Sequence, residues 1–205
     1  MPTVPAPTDP AFQAEILAAH NTERRSLGIA DLVWSRDLAE EAQDWAAKLA
    51  KTGKMAHARQ SRHGESLSSA PVGRATPTEL VGRWLAEKPN YIPGSAQPNT
   101  SRTGNWADVG HYTAVVWSAT REIGCAVGRG QAIDFLVCRY NPPGNVRGYA
   151  AYDVKVAAAA AARAAEAKPA PQPAPAKPAA KPAVAPASDK TVIPVPKPKP
   201  VAVAR

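Results

Sequence analysis

The chain has only two cysteines among its 205 residues. That count excludes a disulfide-dense scaffold, and two thiols alone do not fix a redox compartment. Phenylalanine occurs twice and aromatic residues make up 6%, so most of any core must come from aliphatic and small side chains. No run is long and apolar enough to span a bilayer. The opening MPTVPAPTDP has neither the basic flank nor the apolar stretch of a secretory leader. Two expectations follow: a leader was removed, or the protein stays inside. A nucleotide-binding glycine loop, His-Glu-x-x-His and Gly-x-Ser-x-Gly are all missing, which removes three common sequence-legible chemistries.

Proline is abundant and unevenly placed. Residues 157–205 hold 11 of the 22 prolines and no aromatic residue. Such an Ala/Pro/Lys composition buries too little apolar surface to offset the entropy of ordering. The formal net charge is +8; eight Lys or Arg against two acids in 157–205 supply most of it. A basic tail suits an anionic partner such as a cell-envelope surface, and equally a self-repelling linker. The expected organisation is a flexible N-terminus at 1–8, one folded domain at 9–155, and a largely disordered basic tail at 156–205.

Within the domain, helix signals are clear. Asp9-Pro10 is a cap followed by proline at the first helical position, and Phe12, Ile16, Leu17 and Leu27 recur near helical spacing up to Gly28. Ser35 caps a second stripe, Leu38, Ala42, Trp45 and Leu49, which Gly53 stops. Thr76-Pro77-Thr78-Glu79 is a capping box ahead of Leu80, Val81, Trp84 and Leu85. Glu122–Val127 and Ile133–Tyr140 read as two strands about a Gly128-to-Gln131 turn, and Ala151–Val154 as a last short strand. Ala157–Ala167 has helix propensity but no wide apolar face. Helices with an antiparallel sheet make an α+β domain.

The histidines are His20, His57, His63 and His111. Spacing groups none of them into a ligand set, and a metal centre needs several converging donors. His111 stands out by position: GHYTAVVWSAT puts it at the edge of a run that otherwise reads as core.

That run, Gly110 to Thr120, resembles a signature of the CAP superfamily: cysteine-rich secretory proteins, antigen 5 and pathogenesis-related proteins of the first class, which share the SCP domain. Phe135-Leu136-Val137-Cys138-Arg139-Tyr140-Asn141-Pro142-Pro143-Gly144-Asn145-Val146 is similar to a second signature. His20-Asn21-Thr22-Glu23-Arg24, Gly64-Glu65-Ser66-Leu67 and Trp84-Leu85-Ala86-Glu87 resemble further family segments. The resemblance covers most of residues 10–153 and none of the tail. It implies a three-layer α-β-α sandwich with a central antiparallel sheet. It also implies a cavity formed by His57, Glu65, Glu87 and His111, where the histidines hold a divalent cation, often zinc, and the glutamates bond its waters. His63 is either a decoy or an extra ligand, and His20 a structural helix residue. Each glutamate could instead pair with a neighbouring Arg62 or Lys88 on the surface.

The chain departs from its relatives in places. Many have three disulfides; here Cys125 and Cys138 match halves of two different family bridges, so they either pair across the hairpin or stay reduced and buried. Ser66 and Ala114 replace the usual Asn and Gln. The resemblance implies a secreted or cell-envelope protein, more a binder than an enzyme, taking a sterol, fatty acid or other apolar ligand. The alternatives are a metal-dependent hydrolase and an envelope-interaction protein acting through its tail. Nucleic acid is not an expected partner, because the domain lacks an aromatic and basic platform.

Overall fold

The computed structural model describes residues 3–166. The reading of 156–205 as a tail therefore lies mostly outside the described residues. The ordered elements are α1 (Pro10–Ser26), β1 (Val33–Trp34), α2 (Arg36–Thr52), β2 (Gly64–Pro71), α3 (Pro77–Leu85), α4 (Gly110–Val115), β3 (Glu122–Arg129), β4 (Ile133–Asn141) and α5 (Val154–Glu166), with short 3-10 turns at Lys88–Asn90 and Trp106–Asp108.

The caps form as their residue types dictate. Asp9 accepts from the Ala11 amide at 2.9 Å, and Pro10 follows it. Ser35 caps α2, and Gly53 ends it at a positive φ of 66°. Thr76 and Glu79 bond each other's backbone amides, closing both halves of the capping box.

The sheet order is β1-β3-β4-β2. β3–β4 and β2–β4 are antiparallel, while the two-residue β1 runs parallel to β3, so the sheet is mixed. Period-two alternation sorts its faces. Ile123, Cys125, Leu136, Cys138 and Tyr140 join a core with Phe12, Ile16, Leu80, Trp84, Tyr112 and Val115, which comes from α1, α3 and α4. Leu67, Ala126, Phe135 and Val137 pack instead on Ala42, Ala46 and Leu49 of α2. Helices thus cover both faces, in an α-β-α sandwich. Contact with α2 is close enough to forbid side chains: a Cβ on Gly124 would lie 2.2 Å from the Ala39 amide nitrogen, and one on Gly128 would lie 2.1 Å from the Ala46 carbonyl oxygen.

Three elements differ from expectation. β2 has a Gly-Glu-Ser-Leu-Ser-Ser-Ala-Pro sequence of low strand propensity, and pairing along its whole length with β4 makes it a strand. Its outer edge is covered by α3: the Trp84 indole donates to the Leu67 carbonyl at 2.9 Å, and Arg83 donates to that of Ser69. Ala151–Val154 is no strand; Ala150 makes only an isolated bridge to Ala96. The Asp153 carboxylate accepts from the Lys155 amide at 2.8 Å and starts α5 instead. That helix crosses residue 156 and docks by Val156 and Ala160 against Gly28, beyond the C-terminus of α1.

Cys125 and Cys138 are directly opposed across β3–β4, fully buried and disulfide-bonded, with a Cα separation of 4.1 Å. Of the two alternatives, cross-strand pairing holds.

Candidate functional site

The site depends on α4, a helix of six residues. So short a helix is not stable on its own, and its geometry is imposed by neighbours. At its N-terminus Glu87 Oε2 accepts from the backbone amides of His111 (2.9 Å) and Tyr112 (3.0 Å). That supplies acceptors for otherwise idle helix-start donors and a negative charge at the positive end of the helix. At the other end, the fully buried Arg24 donates to the carbonyls of Val115 (2.9 Å), Trp117 (2.9 Å) and Thr120 (3.0 Å). The two sequence signatures also meet here. Asn145, held at a φ of 58°, accepts from the Thr113 hydroxyl (2.7 Å) and donates to the Gly110 carbonyl (2.8 Å). Gly144 packs so closely on Trp117 that a Cβ would lie 2.8 Å from its ring.

His111 is presented on this braced turn. Its Nδ1 bonds Glu87 Oε1 at 2.6 Å, and its ring stacks on Trp84 at 6.1 Å with a 13° tilt. His57 is its counterpart: Nδ1 bonds Glu65 Oε1 at 2.5 Å, and the same oxygen accepts from the Ala58 amide at 3.1 Å. The other Glu65 oxygen lies 3.0 Å from Arg139 Nη2. A carboxylate offers only lone pairs, so each bonded Nδ1 carries the proton, and in the neutral ring each Nε2 keeps its lone pair. The Glu65 bond raises the His57 pKa above its usual value, while partial burial and Arg139 act in the opposite direction.

His57, Glu87 and His111 line one cleft of about 520 Å3, together with Trp84, Met55 and the outer edge of β2. Glu65, 7% exposed, sits behind the more open His57 at 64%. Three of the four expected cavity residues thus line one cleft, and the fourth, Glu65, backs His57 without lining it. Neither glutamate makes the alternative pair with Arg62 or Lys88; Lys88 pairs with Glu23 at 2.8 Å. His63 is outside the cleft lining and bonds Glu41 of α2 at 2.9 Å. His20 is fully buried between the Ile16 carbonyl (2.8 Å) and the Tyr140 hydroxyl (3.0 Å), and burial lowers its pKa to about 4. Ala114 is buried and Ser66 wholly so. Among the described residues, no group of three or more His, Cys, Asp and Glu side chains is placed to hold a metal.

Arg139 was not among the residues singled out from sequence. The signal was there: alternation through Phe135, Val137 and Arg139 puts a cation on a core-facing strand position, where it needs a partner. Its register partner on β2 is Glu65.

These features define an α-β-α domain with two carboxylate-backed histidines over one cleft. The cysteine-rich secretory protein family, CAP, matches residues 17–140, and the chain belongs to that family. It is 36% identical over 141 residues to pathogenesis-related protein 1A of Nicotiana tabacum, covering 68% of this chain and 80% of that one. It is likewise 36% identical over 141 residues to the Golgi-associated plant pathogenesis-related protein 1 of Homo sapiens, covering 66% and 85%. Among solved structures, the crystal structure of NaASP2 with Zn2+ superposes with a TM-score of 0.59 at 22% identity, covering 71% of this chain and 86% of that chain. At that identity the likeness concerns the fold.

Proposed function

We propose that the cleft is a weak divalent-cation site in a secreted or envelope-associated, non-enzymatic CAP protein that also takes an apolar ligand. The observation that carries this is the pairing of each Nδ1 with a carboxylate, which leaves the Nε2 lone pair available on two histidines that line one cleft. His57 and His111 would hold the cation, with zinc the best match to neutral imidazoles. A cation held there would polarise its bound water. With two protein donors and the rest water, binding would be weak and would fall as the histidines protonate.

The carboxylates favour binding over hydrolysis. Glu87 commits one oxygen to the His111 ring and the other to two backbone amides; Glu65 gives Oε1 to His57 and Ala58, while its Oε2 is buried 3.0 Å from Arg139 Nη2 without a hydrogen-bond partner. A general base needs an oxygen both free and open to the substrate's proton; three of these oxygens fix rings and backbone, and the fourth is buried. An apolar ligand, of the sterol or fatty-acid kind, is supported by a hollow of about 490 Å3 beside α1 with Leu17, Leu32, Val33 and Trp34 in its wall.

Calorimetric titration with zinc, on the wild type and on His57→Ala and His111→Ala, tests the site. The expected result is one site per chain in the wild type and none in either variant. Residues 157–205 contain no His or Cys, so they add no competing imidazole or thiolate site. Equal zinc binding in all three proteins would reject the reading. Saturable binding of a fluorescent fatty acid that survives His111→Ala is expected for the apolar hollow.

A further inference from the structure

A third hollow, of about 710 Å3, lies behind the 56–62 segment, between it, α2 and β4. Arg139 lines it, and only 5% of that side chain is exposed. Nη2 lies 3.0 Å from Glu65 Oε2, yet Nε, Nη1 and that carboxylate oxygen are all buried without a hydrogen-bond partner among the described residues. Native interiors pair nearly all such donors, and unmet buried N–H groups call for a water or an anion. The surrounding side chains favour the anion. Lys48, Arg59 and Arg62 line the same hollow, giving four cations with Arg139 against two acids, Glu41 and Asp44. Glu41 is occupied by His63 at 2.9 Å. Counting Glu65 as a third acid, the balance stays positive by one charge, which suits a small anion.

We propose that this hollow binds a small oxyanion of the sulfate, phosphate or carboxylate class, anchored on the Arg139 guanidinium and surrounded by Lys48, Arg59 and Arg62. A planar guanidinium presents parallel N–H donors that match oxyanion geometry, unlike that of a halide. The site is distinct from the cleft and does not depend on metal there. Ala56 and His57 line this hollow and the cleft alike, so occupancy of one alters the wall of the other.

The test is a nuclear magnetic resonance titration of the full 15N-labelled chain with sodium sulfate against sodium chloride at matched ionic strength. Sulfate is expected to shift the amides of residues 57–62 and the Arg139 Nε–H saturably, with chloride inert. Arg139→Gln would strand Glu65 and risk the fold, so the exposed Lys48→Gln serves as the variant. It should weaken sulfate binding about three- to fivefold, the effect of one solvent-exposed charge. Equal shifts with chloride, shifts confined to residues 167–205, or unchanged affinity in Lys48→Gln would each overturn the proposal. So would a crystal grown in sulfate with only water on Nε and Nη1.

Discussion

Glu87 holds His111 by two bonds and Tyr112 by a third: one oxygen takes the His111 ring, and the other takes the backbone amides of His111 and Tyr112. The residue that orients the histidine therefore also starts the helix that carries it.

Glu87→Ala should cost stability as well as zinc affinity. Losing a helix cap costs about 1–2 kcal/mol, a melting temperature lower by roughly 2–8 °C in a domain of this size. Glu87→Gln keeps the shape but removes the charge, and should recover part of the melting temperature. Differential scanning calorimetry on the two variants checks the order wild type, Gln, Ala.

His20 gives stability a pH dependence. Its folded pKa, about 4, lies below the unfolded value of 6.5. Its contribution is complete above pH 6.5 and is lost as pH falls toward 4, up to about 3 kcal/mol in all. His57 acts in the opposite sense: its raised pKa favours the fold below pH 6.5 and fades as pH rises through its folded value. Exposure of His57 makes its part the smaller. Urea denaturation at pH 7, 5.5 and 4 should show falling stability, and His20→Gln should flatten that fall.

The Cys125–Cys138 bridge closes a loop with a sequence separation of 13. Replacing both cysteines by alanine should cost about 3 kcal/mol by loop entropy. Because both sulfurs are fully buried, dithiothreitol should reduce the native protein far more slowly than the urea-unfolded chain. Thiol trapping followed by mass spectrometry measures both rates.

Gly124→Ala should be among the most damaging methyl additions. The new carbon meets the α2 backbone itself, which cannot rotate away as a side chain can. A loss of about 1–3 kcal/mol or more is expected, read as a lower urea midpoint.

The helix starts were legible because Asp9, Ser35 and Thr76 act through local chemistry that needs no tertiary partner. The β3–β4 hairpin was legible for the same reason, with apolar runs flanking a glycine turn. β2 was not, since Ser66, Ser68 and Ser69 carry no strand preference and only pairing with β4 orders them. Ala151–Val154 misled because the capping role of Asp153 outweighs a short apolar run. At the site, residue spacing alone gave no grouping, as His57 and His111 lie on separate segments; resemblance to relatives supplied the set. Arg139 was hidden in a signature read as a whole, although its charge on a core-facing position was the clue.

The external bracing of α4 separates what keeps the motif from what the motif does. Arg24, Glu87, Thr113 and Asn145 would all be retained by selection for a folded domain, with no chemistry asked of it. A descendant with no ligand at all could still display the same residues, so presence of the signature is a record of architecture first. On the cation-site proposal, loss of His57, whose ring is largely open to solvent and braces no helix, would be the earlier mark of a site given up.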